Sequence, residues 1–293
     1  MVSRWNLRRS LPLAVGVLLL LLSVLATAGN ARSQRKLVEM SMLVTGELVI
    51  AADGSVSDLQ LDQRDKLPPG VQKLVDQART EWLFEPFVID GVARKVRSRM
   101  SLHVVAKEMD SGDYSIGLRS AYFGKAAHAP ADSQDTSSLR SKQLTPPFFP
   151  HDAGRVGGRG IVYLLLRIQG DGTVSDAVAE QVNLQVLGDD ATMKALRKTF
   201  SNAALRASKQ WTFQVPTTGE EADDGHWAVR VPVSFQYEGH QAPGYGEWEA
   251  YVPGPRKQAP WADSDEGSPE ALIAGGIYPV GQGLKLRTPL QSI

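Results

Sequence analysis

Asp171-Gly172-Thr173-Val174-Ser175-Asp176 follows the apolar run Tyr163-Leu164-Leu165-Leu166-Arg167-Ile168. The first half of the chain carries the same phrase, with Asp53-Gly54-Ser55-Val56-Ser57-Asp58 after Gly46-Glu47-Leu48-Val49-Ile50. Both read as strand, tight turn, strand. Asp tolerates left-handed backbone angles and Gly adopts them without steric cost, which suits Asp-Gly to such turns.

Working outward, each hairpin leads into a helical pattern. Val71, Leu74, Val75, Ala78 and Trp82 fall on one face at the 3.6-residue period, and Leu196, Phe200, Ala203, Ala204, Ala207 and Trp211 do the same. Pro68-Pro69 and Asp189-Asp190 are suitable helix starts, since proline fits a first turn and acidic groups fit the positive end of the helix dipole. Both helices end in one signature, Trp82-Leu83-Phe84 and Trp211-Thr212-Phe213. An alternating strand closes each unit. Met100, Leu102 and Val104 alternate with Arg99, Ser101 and His103, while Val229, Val231, Val233 and Phe235 alternate with Arg230, Pro232 and Ser234. Period two with one apolar face predicts a sheet packed on one side. The fold class is therefore α+β, with the order β-β-α-β occurring twice in tandem and a short extra strand after each Trp-x-Phe. Trp82, Trp211 and Phe213 are structural core residues in this reading, and Asp53, Gly54, Asp171 and Gly172 set the turns.

These units divide the chain into a first domain at 41–106, a linker at 107–143 with a short strand near Tyr114–Ile116, a second domain at 144–238, and a Pro/Gly-rich extension at 239–293. Trp248, Tyr251, Trp261 and Tyr278 predict that the extension lies extended across a domain surface, with Asp263 to Glu270 solvated. The strand from Ile161 to Ile168 is apolar on both faces except at Arg167, which predicts burial on both. One face meets the helix, and the other meets the first domain, the extension or a second chain.

Residues 1–28 read as an export signal: Arg4, Arg8 and Arg9 precede an apolar run from Leu11 to Leu25, and Ala26-Thr27-Ala28 offers a cleavage site. An uncleaved anchor over residues 11–28 is the competing reading, because about 20 apolar residues span a bilayer. The chain has no cysteine, which excludes disulfides, thiolate metal sites and cysteine nucleophiles. It balances 32 basic against 32 acidic residues, so no basic footprint for nucleic acid exists. Its five histidines fall at no metal-ligand spacing, and neither H-E-x-x-H, a phosphate loop nor a G-x-S-x-G elbow occurs. The expectation is a protein without catalytic residues, cofactor or metal.

The second unit resembles the C-terminal domain family of TonB, the energy transducer, over about Pro146 to Tyr237. The shared features are Pro146-Pro147-Phe148-Phe149-Pro150, Gly157-Gly158-Arg159-Gly160 before a hydrophobic strand, Asp171-Gly172 with Val174, the helix end at Trp211-Thr212-Phe213, and Val231-Pro232-Val233-Ser234-Phe235. The first unit matches as a degenerate copy. The resemblance implies a periplasmic protein that engages extended segments of outer-membrane transporters or other envelope proteins by pairing them with a sheet edge. Val229, Arg230, Val231, Val233 and Phe235 are the expected partner-binding edge, and Pro232 fits an edge because proline cannot donate to a ladder. The alternative is a structural envelope protein that self-associates, as a homodimer, without a transport role. A complete transducer differs in having an anchored helix with polar motor-contacting residues and a long proline-rich spacer. Here about a dozen residues separate Ala28 from the first strand, a reach of at most about 40 Å, so a cleaved chain could not transmit a pull. The membrane enters only through an uncleaved N-terminal segment.

Overall fold

The computed structural model describes residues 37–124, 136–219, 222, 224–237, 239–262 and 267–290. The readings of residues 1–28 as a signal and of Asp263–Glu266 as solvated lie outside these. Among the described residues no helix is long and apolar enough to cross a membrane.

Two antiparallel sheets, each with its own helix and apolar core, carry the structure. In the first, β1 (Glu39–Ile50) and β2 (Val56–Leu61) form the hairpin around Asp53-Gly54. Helix α1 (Pro69–Glu81) follows with Val71, Val75 and Ala78 buried. A small exposed hairpin, β3 (Val88–Ile89) and β4 (Val92–Ala93), precedes β5 (Val96–Glu108), which pairs with β1 from Met40↔Ala106 to Ile50↔Val96. Strand β6 (Tyr114–Phe123) then pairs with β5. The sequence predicts only a short strand within a linker here, yet β6 is ten residues long and supplies buried Leu118 and Phe123 to the first core. Phe123 meets Phe84 edge-on at 4.8 Å between ring centroids.

Strand β7 (Arg140–Gln143) and the short helix α2 (His151–Arg155) lead into the second sheet. Its strands are β8 (Gly160–Gln169), β9 (Val174–Leu184) and β11 (His226–Phe235), in the order β9-β8-β11. Helix α3 (Asp190–Ser208) packs Leu196, Phe200 and Ala204 on Val162, Leu164, Leu166, Val229 and Val231. The Asp189 carboxylate caps α3 by accepting from Thr192 N at 2.6 Å, satisfying one of the free N–H groups of the first turn. Strand β10 (Thr212–Gln214) pairs with β7 directly after Trp211, whose Nε1 donates to the Thr145 carbonyl at 2.8 Å.

The C-terminal extension is a strap that threads the margins of both sheets. Strand β12 (Glu249–Tyr251) adds to β1 at Glu39–Ser41, and Val252 exchanges two backbone hydrogen bonds with Leu184 at the outer edge of β9. Strand β13 (Tyr278–Pro279) adds to β11, and Leu284 N reaches Phe123 O at 2.9 Å. Ile277 enters the second core, and Tyr278 meets Tyr122 edge-on at 5.0 Å.

The second face of β8 is covered, as its two-sided apolar pattern predicts: Tyr163 and Leu165 point away from α3 and are buried. Around Tyr163 stand Leu43 and His103 of the first sheet and Glu249, Tyr251 and Glu270 of the strap. That overturns the one-sided reading of β5. Ser101 and His103, on its expected solvent face, are buried with Val105. Arg230 and Pro232 on β11 are likewise enclosed. Glu270, expected to be solvated, is 4% exposed.

Candidate partner-binding edge

The site begins with the alternation of β11. Val229, Val231, Val233 and Phe235 turn inward onto α3 and are core residues, so their side chains offer nothing to a partner. Arg230 lies on the opposite face, where its Nε donates to Glu180 Oε2 at 2.8 Å. Arg256 of the strap also binds Glu180, at 2.7 Å. Glu180 is 3% exposed, so this is a buried carboxylate held between two guanidiniums. The five residues predicted for the edge are thus in one strand, with their side chains turned into the core or held by Glu180, so a partner would have to pair with the strand's backbone.

The direction of that backbone follows from the strap. Val280 N donates to Ala228 O at 2.9 Å, Tyr278 stands opposite Arg230, and Gly275 N donates to Pro232 O at 3.2 Å. Even-numbered residues of β11 therefore turn their polar backbone groups outward. Pro232 lacks an N–H on the outward side, where the β8 ladder loses nothing. The pairing of β11 with β8 has no bulge, so Ser234 continues the outward series. The strap leaves the edge at Gly275, and among the described residues no backbone group pairs with Ser234 from outside the sheet. Ser234 is also exposed.

Apolar surface collects at this end of the strand. Phe149 packs between Phe200 and Phe235, with centroids 6.1 and 6.4 Å away. Its neighbour Phe148 is 96% exposed, and Tyr237, just past the strand, is exposed beside His240. Arg159 bonds His240 and donates to the Gln185 carbonyl at 2.9 Å, fixing the turn beyond Tyr237 to the ends of β8 and β9.

The turn residues occupy matching positions in the two sheets. Asp53 Oδ1 accepts from Ser55 N and Oγ at 2.9 and 2.7 Å, and Asp171 Oδ1 accepts from Thr173 N and Oγ1 at the same distances. The hydroxyl and amide donors hold both carboxyls below the ordinary aspartate range. Trp82 and Trp211 are buried, and the residue after each bridges to the end of its turn, Leu83 to Ser55 and Thr212 to Thr173.

Sequence reasoning did not find the strap residues Gly275, Tyr278 and Val280 as the occupants of β11. The aromatic residues in a Pro/Gly-rich tail signalled docking, but nothing in their spacing specified an edge or a register.

A small α+β fold of sheets with addressable margins is what the geometry defines. Over 97 residues, 33% of the chain, the sequence is 28% identical to Protein TonB of Xanthomonas campestris pv. campestris strain B100, and equally to Protein TonB of strain ATCC 33913. The chain spans 37% of the length of these curated relatives. No family model matches, and no solved structure matches. The similarity supports a distant TonB-like relationship.

Proposed function

We propose that this chain is a TonB-like envelope binding protein that acts in the periplasm after export and carries out no catalysis. In this reading it holds extended segments of outer-membrane transporters or other envelope proteins by strand addition to β11, in service of TonB-dependent transport. The two sheet-and-helix units are read as tandem copies of one domain, the first more diverged. Their shared order of hairpin, helix, Trp-x-Phe and closing strand supports that reading, as do their matching Asp-Gly turns.

One observation carries the proposal: the outward ladder of β11 already accepts an extended segment, the chain's own Tyr278–Pro279, and runs on past it to Ser234. Backbone pairing there supplies affinity, and alternate side chains of the guest would meet Phe148 and Tyr237. The strap itself is a poor candidate for displacement, because Ile277 and Tyr278 are buried. The guest therefore adds at Ser234–Gln236 rather than in the strap's place.

Titrating N-terminal transporter peptides into the isotope-labelled, signal-free chain tests this. Saturable amide shifts confined to residues 234–237 and Phe148 are expected, and a spectrum unmoved at millimolar peptide rejects strand addition. Self-association is the second reading, favoured by exposed Tyr114 and Ile116 on β6 at the margin of the first sheet. Concentration-dependent sedimentation without peptide shifts would decide for it.

A further inference from the structure

Between the two sheets lies a cavity that the β11 edge does not use. It encloses about 330 Å³, at the lower end of the range of about 300–1,000 Å³ usual for small-molecule sites. Leu43 of β1, Ile161 of β8 and Tyr245 of the strap give it an apolar wall. Tyr245 is fixed there because its hydroxyl accepts from Thr45 N at 3.1 Å and donates to Thr45 O at 3.2 Å.

The facing wall carries His103, Glu249 and Glu270, and its polar groups are acceptors in excess. Glu270 is 4% exposed, yet its donors are neutral: Asn183 Nδ2 at 2.6 Å and Ser268 Oγ at 3.0 Å. Glu249 accepts from the Gln185 amide at 2.6 Å, and burial pushes its carboxyl up. Among the described residues neither carboxylate has a cation at ion-pair distance. The nearby guanidiniums are engaged elsewhere, Arg119 gripping Glu39 with both terminal nitrogens and Arg159 holding His240 and the Gln185 carbonyl. His103 is also 4% exposed, and its Nδ1 has no hydrogen-bond partner among the described residues. Burial, reinforced by Arg119, pushes this imidazole down to about 3, so it is neutral and offers a lone pair.

Arg119 acts on Glu270, and Arg159 and His240 on Glu249, only through space. An enclosed carboxylate with no cation in direct contact is expensive, and a bound cation offsets that cost. No group of three His, Asp or Glu among the described residues is gathered closely enough for a metal ion. We propose that this cavity binds a small organic amine, with its ammonium against Glu270 and Glu249 and its apolar stem against Leu43, Ile161 and Tyr245.

Three probes of one carbon frame test the proposal by calorimetry and methyl NMR on the signal-free chain: phenethylamine, 2-phenylethanol and phenylacetate. The amine is expected to saturate and to shift the Leu43 and Ile161 methyls, with the alcohol at least tenfold weaker and the acid silent. Glu270→Gln keeps the side-chain volume, removes the charge and should weaken the amine at least tenfold. Glu249→Gln, at a less enclosed position, provides the same readout should Glu270→Gln fail to fold. Equal affinity for amine and alcohol overturns the proposal, as does failure of the folded wild type to saturate at millimolar amine or full binding in a folded variant. Transporter-peptide shifts at Ser234–Gln236 are independent of all these outcomes.

Discussion

The Phe213 amide donates to the Gly172 carbonyl at 2.8 Å, and a Cβ on Gly172 would sit well inside 3.0 Å of the Phe213 carbonyl oxygen. The turn and the segment after the helix are thus pressed together with no room for a side chain, and φ of +81° at Gly172 adds conformational strain for any other residue. Phe84 and Gly54 repeat the arrangement, with the same 2.8 Å bond. Gly172→Ala should combine the left-handed cost of about 1–2 kcal/mol with a backbone clash. Gly112, at φ of +86° in open space, isolates the first contribution. Urea denaturation should therefore show Gly172→Ala losing clearly more stability than Gly112→Ala, and equal losses would remove the clash from the account.

That contact explains why the hairpins and helices were legible. Asp-Gly followed by Val, and Trp-x-Phe at the end of an apolar stripe, are local patterns whose geometry is fixed within a few residues. The other faces of β5 and β11 were not legible. Ser101, His103, Arg230 and Pro232 alternate with apolar residues as solvent-facing positions do, and they are enclosed by partners far away in sequence, as Arg230 is by Glu180 and Pro232 by the strap at Gly275. Strand β6 was hidden for a related reason: Gly117, Arg119 and Ser120 break its apolar pattern, while Leu118 and Phe123 are satisfied by α1 and Phe84 far away in sequence. The same holds for the edge. Its strand could be named from the sequence, but its occupant comes from residues 275–280 and has no local signature.

His103 makes the interlobe packing sensitive to acid. Its folded pKa of about 3 lies below the ordinary value of 6.5, because burial penalises the imidazolium and Arg119 adds to that penalty. The unfolded chain therefore binds a proton that the folded chain refuses. Its contribution is present above pH 6.5 and is lost as pH falls toward 3, by roughly 1.4 kcal/mol per pH unit within the window. Glu249, shifted upward by burial, works in the opposite sense above its ordinary pKa. Comparing His103→Gln with wild type isolates the histidine: between pH 6 and 4.5 the wild type should lose stability more steeply. Parallel curves would mean that His103 becomes protonated in the fold.

Removing residues 268–293 should open the rest of the β11 edge. Without the strap, the outward groups of Ala228, Arg230 and Pro232 lose Val280, Tyr278 and Gly275, and Tyr163 loses its neighbour Glu270. Transporter peptides are then expected to shift residues 228–232 as well as 234–237, and hydrogen exchange at Arg230 should accelerate. Ile277→Ala serves as the milder variant. It keeps the strap and costs about 2–5 kcal/mol for a buried isoleucine, lowering stability without adding peptide shifts at 228–232. Peptide shifts that stay confined to 234–237 after the deletion would show that the strap is not what closes that part of the edge.

Glu180 ties the same strand to the strap through charge. It is buried, accepts from Arg230 at 2.8 Å and from Arg256 at 2.7 Å, and joins β9, β11 and the strap at one carboxylate. Removing the shared partner leaves the enclosed Arg230 guanidinium without its carboxylate, and breaking a buried pair in this way costs about 3–5 kcal/mol. Arg256 is the more exposed of the two arginines, so its loss is softened by solvent and leaves Arg230 to hold the carboxylate. Thermal denaturation should rank the variants Glu180→Ala, then Arg230→Ala, then Arg256→Ala, from most to least damaging. A double-mutant cycle between Glu180 and Arg230 should return a larger coupling than the cycle with Arg256. The reverse order would place the anchoring interaction in the strap and make Arg230 a bystander on its own strand.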